Sequence, residues 1–263
     1  MNPLLIFAPL GMIFVGLLSI YLWRKRSRVE LKCFFFGGLV WFAAIIPKIV
    51  LDYLLTPNLS LWTMKVYGFP TAQFILGAYV GLRTGLLECG FAYLALSKSR
   101  LQGFSLDEAT AFGIGFGSFE AILLGFPALI QIMVFIANPS LLNLLPQTQR
   151  QMVESQLNLP TWVVPAPIIE RIFTLFVHVF TTLLVFASIT RRRPLYLLGA
   201  ILYKSLLDGM IPYLQATLNP SLYPPNVYLA EGWVIMMGAI SLVSAFRIRE
   251  FLSEEVKNLR EWS

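Results

Sequence analysis

Seven stretches of about 20 residues or more pass almost without charge in this chain, each of the length a membrane helix needs. They cover about 4–23, 31–55, 71–96, 110–136, 164–189, 195–216 and 227–246. A helix satisfies its own backbone hydrogen bonds where lipid offers no partner, so helices are the economical reading of such runs. A β-barrel would need shorter segments of alternating polarity, and the sequence has none. The expected fold is all-α: a polytopic transmembrane bundle of seven spans forming a single membrane domain over 1–263. Composition agrees, since 57% hydrophobic and 13% charged residues are more apolar than one soluble core of this length would use.

Charges between the runs set an orientation. Arg24-Lys25-Arg26-Ser27-Arg28 follows the first run directly, whereas a cleavable signal peptide carries its positive charges ahead of a shorter apolar segment. The first helix is therefore expected to stay in place with its N-terminus outside. Fourteen basic residues then lie on the cytoplasmic side, at positions 24, 25, 26, 28, 32, 98, 100, 191–193, 247, 249, 257 and 260. The outer loops hold two, Lys65 and Arg150. Such a bias fits an odd number of spans and a cytoplasmic tail over 247–263. A prokaryotic plasma membrane is the expected location, with the lipid bilayer as the first partner. The net charge of +6 does not point to nucleic acid, because the basic residues cluster at the ends of apolar runs and no nucleic-acid motif accompanies them. Cys33 and Cys89 both fall inside apolar runs, so neither a disulfide framework nor a thiolate metal site is expected.

Ser105-Leu106-Asp107-Glu108 reads as a capping box opening the fourth span. The long outer loop at 137–163 mixes leucines with Gln, Asn and Thr. It reads equally as a short helix on the membrane surface or as a packed loop. Phe251 to Trp262 has the pattern of a charged amphipathic helix.

Four basic residues remain inside the runs, Lys48, Arg83, Arg171 and Lys204, and Glu88, Glu120, Glu170, Asp208 and the only histidine, His178, also fall within them. Each costs several kcal/mol in a bilayer unless paired or hydrated. Lys48 and Asp52, four apart, read as a pair on one helix face. Glu170 and Arg171 read as residues that cap or snorkel at the outer end of the fifth run. Glu88, Glu120, His178 and Lys204 lie roughly 8–11 residues from the cytoplasmic ends of four different spans, about 12–17 Å deep, and Asp208 is one turn deeper than Lys204. That common depth predicts a single polar cluster. A metal or proton site and a buried salt-bridge knot are equally good readings of it. Gly113, Gly115 and Gly117, with Ser118, predict a small-residue packing face on the fourth span. It serves either a neighbouring helix or the room for a substrate or partner helix, with Gly85 and Gly90 on the facing side.

At these residues the sequence resembles the YhfC family of intramembrane metalloproteases, grouped with the CAAX-protease and PrsW proteins and related to the seven-span scaffold subunit of γ-secretase. The resemblance runs from the second span through the sixth. It is carried by Gly113-Ile114-Gly115-Phe116-Gly117-Ser118-Phe119-Glu120, by Ile169-Glu170-Arg171-Ile172-Phe173 with His178, and more weakly by Leu87-Glu88-Cys89-Gly90 and Tyr203-Lys204-Ser205-Leu206-Leu207-Asp208. It implies a carboxylate that activates a metal-bound water and histidines on separate helices that hold the metal. Residue by residue, the chain keeps part of that set. Glu88 matches one member of the family's Glu-Glu pair, and the arginine after the pair is absent, where Phe91 or Ala92 stands. Glu120 and His178 are kept. Phe116 stands at a family histidine, and Lys204 replaces the histidine of the sixth span.

A zinc site usually needs at least three protein ligands, and an ammonium among carboxylates would repel a cation. The expected function is thus a catalytically degenerate family member, a scaffold or binding protein with a polar intramembrane cavity, in which Lys204 puts an ammonium where the family would put the metal. No cofactor is favoured. If the protein is active, zinc would sit on Glu120, His178 and Asp208, with Glu88 as the catalytic residue. A small proton- or ion-coupled transporter using Lys204, Asp208, His178 and Glu120 is a further alternative. The expected partners are another membrane protein, a membrane-embedded substrate or a lipid-like ligand.

Overall fold

A computed structural model describes the backbone of residues 1–98, 103–220 and 223–261, with side chains as far as Ser253. Arg100 and Trp262 lie outside the described residues, as do the side chains of Lys257 and Arg260. The described chain is helical throughout: α1 Phe7–Ser27, α2 Leu31–Leu54, α3 Thr56–Tyr67, α4 Thr71–Lys98, α5 Leu106–Ala137, α6 Gln147–Leu157, α7 Pro165–Thr190, α8 Pro194–Gly209, α9 Ile211–Leu218 and α10 Val227–Glu261. Among the described residues seven segments are long and apolar enough to cross a membrane: Pro3–Ser27, Leu31–Leu54, Thr71–Lys98, Leu106–Ala137, Thr161–Thr190, Pro194–Leu218 and Pro224–Ser253. The chain is a multi-pass membrane protein. Its turns at 28–30 and 191–193 lie at one end, called here the basic face; α3 and α6 lie at the other.

Burial is inverted relative to a soluble bundle. On α8, Leu198, Leu202 and Leu206 are each about half exposed, whereas Lys204 between them is 3% exposed. Apolar stems thus face outward, where lipid replaces water as solvent, and the charge faces the core. Helix α5 runs through the middle, packed by α1, α2 and α7, and every residue from Ala109 to Ser118 is buried. It begins with the capping box, Ser105 Oγ accepting from Glu108 N at 3.3 Å and Glu108 Oε2 accepting from Ser105 N at 2.8 Å. Helices α4 and α8 form a second tight pair, and α7 holds α8 and α10.

Small residues set these approaches, though not as the one-sided stripe expected on α5. A Cβ on Gly113 would press on Val179 and Thr182 of α7, and one on Gly117 would press on Leu175 and His178. Gly115, two residues on and therefore about 200° round the helix, faces α2, where a Cβ would overlap the Phe34 carbonyl. Gly37 meets the Phe112 carbonyl in the same way, so α2 and α5 touch backbone to backbone. Ser118 turns to α1, its hydroxyl 2.8 Å from that of Ser19. Gly85 does not face α5: with Gly77 and Gly81 it lies on α8, against the backbone of Ile201, Ser205 and Gly209, and nothing lies within 4 Å of a Cβ on Gly90.

Other departures have local causes. The sixth run breaks at Met210, because Pro212 in the first turn of α9 cannot donate into a continuing helix. The seventh does not stop at 246, and α10 continues to Glu261. The loop at 137–163 contains α6, whose Leu157 is buried and whose end is tied to the N-terminus by Asn2 N donating to Leu157 O at 2.7 Å. Helix α3, packed on α4 and α2, fills a stretch that the sequence offers as a loop.

An ion-paired candidate site in the bundle core

Five helices bring one charged side chain or more to a common point. Glu88 of α4 lies at the centre, 5% exposed. Its Oε1 accepts from Lys48 Nζ of α2 at 2.6 Å, and its Oε2 lies 3.3 Å from Lys204 Nζ of α8. Lys204 also reaches Asp208 Oδ2, one turn along its own helix, at 3.6 Å. On the other side His178 Nδ1 of α7 stands 4.0 Å from Glu88 Oε2, and His178 Nε2 is 2.6 Å from Glu120 Oε2 of α5. The second oxygen of Glu120 accepts from Arg171 Nη1 at 2.7 Å, and Arg171 Nη2 donates to Glu170. A chain of contacts therefore runs Asp208, Lys204, Glu88, His178, Glu120, Arg171, Glu170, with Lys48 joining at Glu88.

Local spacing explains the convergence. Lys204 and Asp208 are four apart, and Arg171 and His178 are seven apart, so each pair shares a helix face. Gly117 lets α7 come close enough for His178 to reach Glu120, and Gly85 does the same for α8 beside Glu88. Phe116, one turn before Glu120, lays its ring against His178 with centroids 5.1 Å apart.

Glu88, Glu120, His178, Lys204 and Asp208 thus share one cluster, and two further members come from residues read differently in the sequence. Lys48 does not pair with Asp52 on its own helix; it turns inward to Glu88, and Asp52 takes Arg83 of α4 instead. Arg171 does not snorkel at the end of the fifth run. The helical turn Thr161–Val163 lengthens that span upstream, leaving Arg171 well inside it and 6% exposed. The seven-residue spacing of Arg171 from His178 was the available signal for this. Nor is the cluster an open polar cavity. The space between Glu88, Phe116, His178 and Lys204 is about 10 Å³, the room of a single water at most. Larger hollows lie elsewhere: two are apolar, about 290 Å³ and 370 Å³, and one of about 380 Å³ lies open among Tyr21, Arg24, Lys25 and Arg28.

The donor set does not match a zinc site as arranged. Tetrahedral zinc takes three or four His, Cys or carboxylate donors at about 2.0–2.3 Å. Among the described residues no three His, Cys, Asp or Glu side chains converge closely enough to hold a metal ion. Glu120 already accepts from Arg171 and His178, and Glu88 from Lys48. Asp208 meets the cluster through Lys204, which stands between it and Glu88. Phe116 offers His178 a ring and no lone pair.

Comparison with known proteins gives two findings. The family model described as YhfC intramembrane metalloprotease matches residues 11–234. The membrane protein YhfC of Bacillus subtilis (strain 168) is 31% identical over 203 residues, covering 73% of this chain and 76% of that protein. No solved structure matches.

Proposed function

This chain belongs to the YhfC intramembrane metalloprotease family, and we propose that it is a catalytically degenerate member: a scaffold or binding protein of the plasma membrane whose core is held by ion pairs in place of a metal. One observation carries the reading. Lys204 Nζ sits 3.3 Å from Glu88 and 3.6 Å from Asp208, so an ammonium occupies the carboxylates that a divalent cation would need. Lys48 and Arg171 add cations from the flanks, on Glu88 Oε1 and Glu120 Oε1. With its charges paired across five helices, such a centre fixes the register of the bundle. Water activation would require a free base beside an open metal position, and Glu88 is hydrogen-bonded to Lys48 through Oε1 and ion-paired to Lys204 through Oε2. The protein then acts through its surfaces, by holding another membrane protein or a lipid-like ligand.

Metal analysis of protein purified without chelators tests this. The expected zinc content is far below one ion per chain; near-stoichiometric zinc or another divalent ion would return the chain to the active metalloproteases. The ionisable groups Asp208, Lys204, His178 and Glu120, gathered around Glu88, also suit a proton or ion relay, and proton uptake into proteoliposomes bearing the protein would favour that transporter reading instead.

A further inference from the structure

Helices α1 and α10 both lean on α7 but share no extended contact with each other, and a slot of about 290 Å³ opens between them. Its walls are apolar: Leu22 of α1, Ile114 of α5, Leu175 and Phe176 of α7, and Leu242 and Phe246 of α10. Leu22 and Phe246 stand exposed at the rim. The volume is close to the lower end of ligand pockets, roughly 300–1,000 Å³. From Leu242 to Arg249 the slot follows α10 for about 10 Å, toward the basic face.

That end is built from charged and aromatic groups. Arg249 is fixed there, donating from Nη2 to Asp107 Oδ1 at 2.7 Å and from Nη1 to the Thr110 hydroxyl, with its guanidinium 4.8 Å from the centre of the Trp23 ring. Trp23 in turn donates to the Asp107 carbonyl at 3.2 Å. Arg26, three residues after Trp23 and so on the same helix face, also lines the slot. It is exposed and has no ion-pair partner among the described residues. Arg249 is balanced by Asp107, so among the described residues lining the slot Arg26 is the uncompensated cation at the mouth.

We propose that this slot holds an acyl chain of an anionic phospholipid from the leaflet on the basic face, with the lipid phosphate on Arg26. The apolar walls suit a hydrocarbon chain, and the guanidinium fork suits phosphate oxygens. Basic recesses between membrane helices select anionic headgroups in this way, because a zwitterionic lipid brings no net charge to the unpaired cation. The slot shares no residue with the ion-paired centre, so the site stands whether or not that centre binds metal.

Delipidated full-length protein in mild detergent, mixed with phosphatidylglycerol or phosphatidylcholine of the same acyl chains and read by native mass spectrometry, tests the proposal. Phosphatidylglycerol is expected to be retained at least about fivefold more, Arg26→Gln to remove about that factor, and phosphatidylcholine to be unaffected by the substitution. Leu242→Trp, which fills the slot, is expected to weaken retention of both lipids. Lys25→Gln removes an equal charge from outside the slot and is expected to leave the preference within about twofold. Equal retention of the two lipids would overturn the proposal. So would an Arg26→Gln loss no greater than that of Lys25→Gln, which marks a diffuse basic patch, or lipid retention indifferent to Leu242→Trp, which leaves the slot to a protein segment.

Discussion

Lys204 is the residue on which most of the core depends. Methionine in its place keeps an unbranched stem and removes the charge, leaving Glu88 and Asp208 with one cation, Lys48, to share. Removing one partner of a buried pair costs about 3–5 kcal/mol. Lys204→Met is therefore expected to lower the thermal midpoint of the detergent-solubilised protein by roughly 10 °C or more. An unchanged midpoint would mean that Lys204 is dispensable. Adding Asp208→Asn to Lys204→Met should recover part of the loss, since it removes one of the two orphaned carboxylates. A second pair of substitutions asks how far the site is from a metal centre. Phe116 touches His178, and Lys204 touches Glu88. Phe116→His with Lys204→His would place three imidazoles around two carboxylates. The double variant is expected to retain zinc through size-exclusion chromatography where the parent does not; a metal-free double variant would show that the five helices no longer hold the ligands at bonding distance.

Helices owe their contacts to what is missing at glycine. Gly81 and Gly115 meet neighbouring backbone directly, whereas nothing lies within 4 Å of a Cβ on Gly90 or Gly199. Alanine in a helix gains about 1 kcal/mol of propensity over glycine, so the sign of each Gly→Ala change is set by the space around it. Gly81→Ala and Gly115→Ala are expected to lower the thermal midpoint, and Gly90→Ala and Gly199→Ala to hold or raise it; a uniform response would mean that the close approaches are not rigid. The spans themselves were legible because length and apolarity are carried by every residue of a run. The cluster was legible because Glu88, Glu120, His178 and Lys204 lie at one depth. Lys48 and Arg171 were not, because an i,i+4 rule compares residues on one helix, while a buried carboxylate on another helix is the stronger partner. Helix α3 was hidden by Pro57, Asn58 and Lys65, which read as loop chemistry although Pro57 only occupies a first-turn position. The two-sided placing of Gly113, Gly115 and Gly117 was in the sequence: a spacing of two on a helix is close to half a turn.

The seven spans with their basic turns predict how the whole molecule sits. Reporter fusions are expected to place the N-terminus outside and the C-terminus in the cytoplasm, with an alkaline phosphatase active when fused near Arg150 and inactive near Arg192; the reverse pattern would invert the positive-inside reading. The Lys48–Glu88 pair, joining α2 to α4 at 2.6 Å, bears on how the protein is made. Ribosomes deliver Lys48 and Asp52 of α2 well before Glu88 and Arg83 of α4, so the second span enters the translocon carrying two opposite charges whose final partners do not yet exist. Four apart on one helix, the two can neutralise each other until the third span arrives and they exchange partners. The hairpin of α2 and α4, closed by α3, is thus the smallest unit of the nascent chain in which both of these pairs are made.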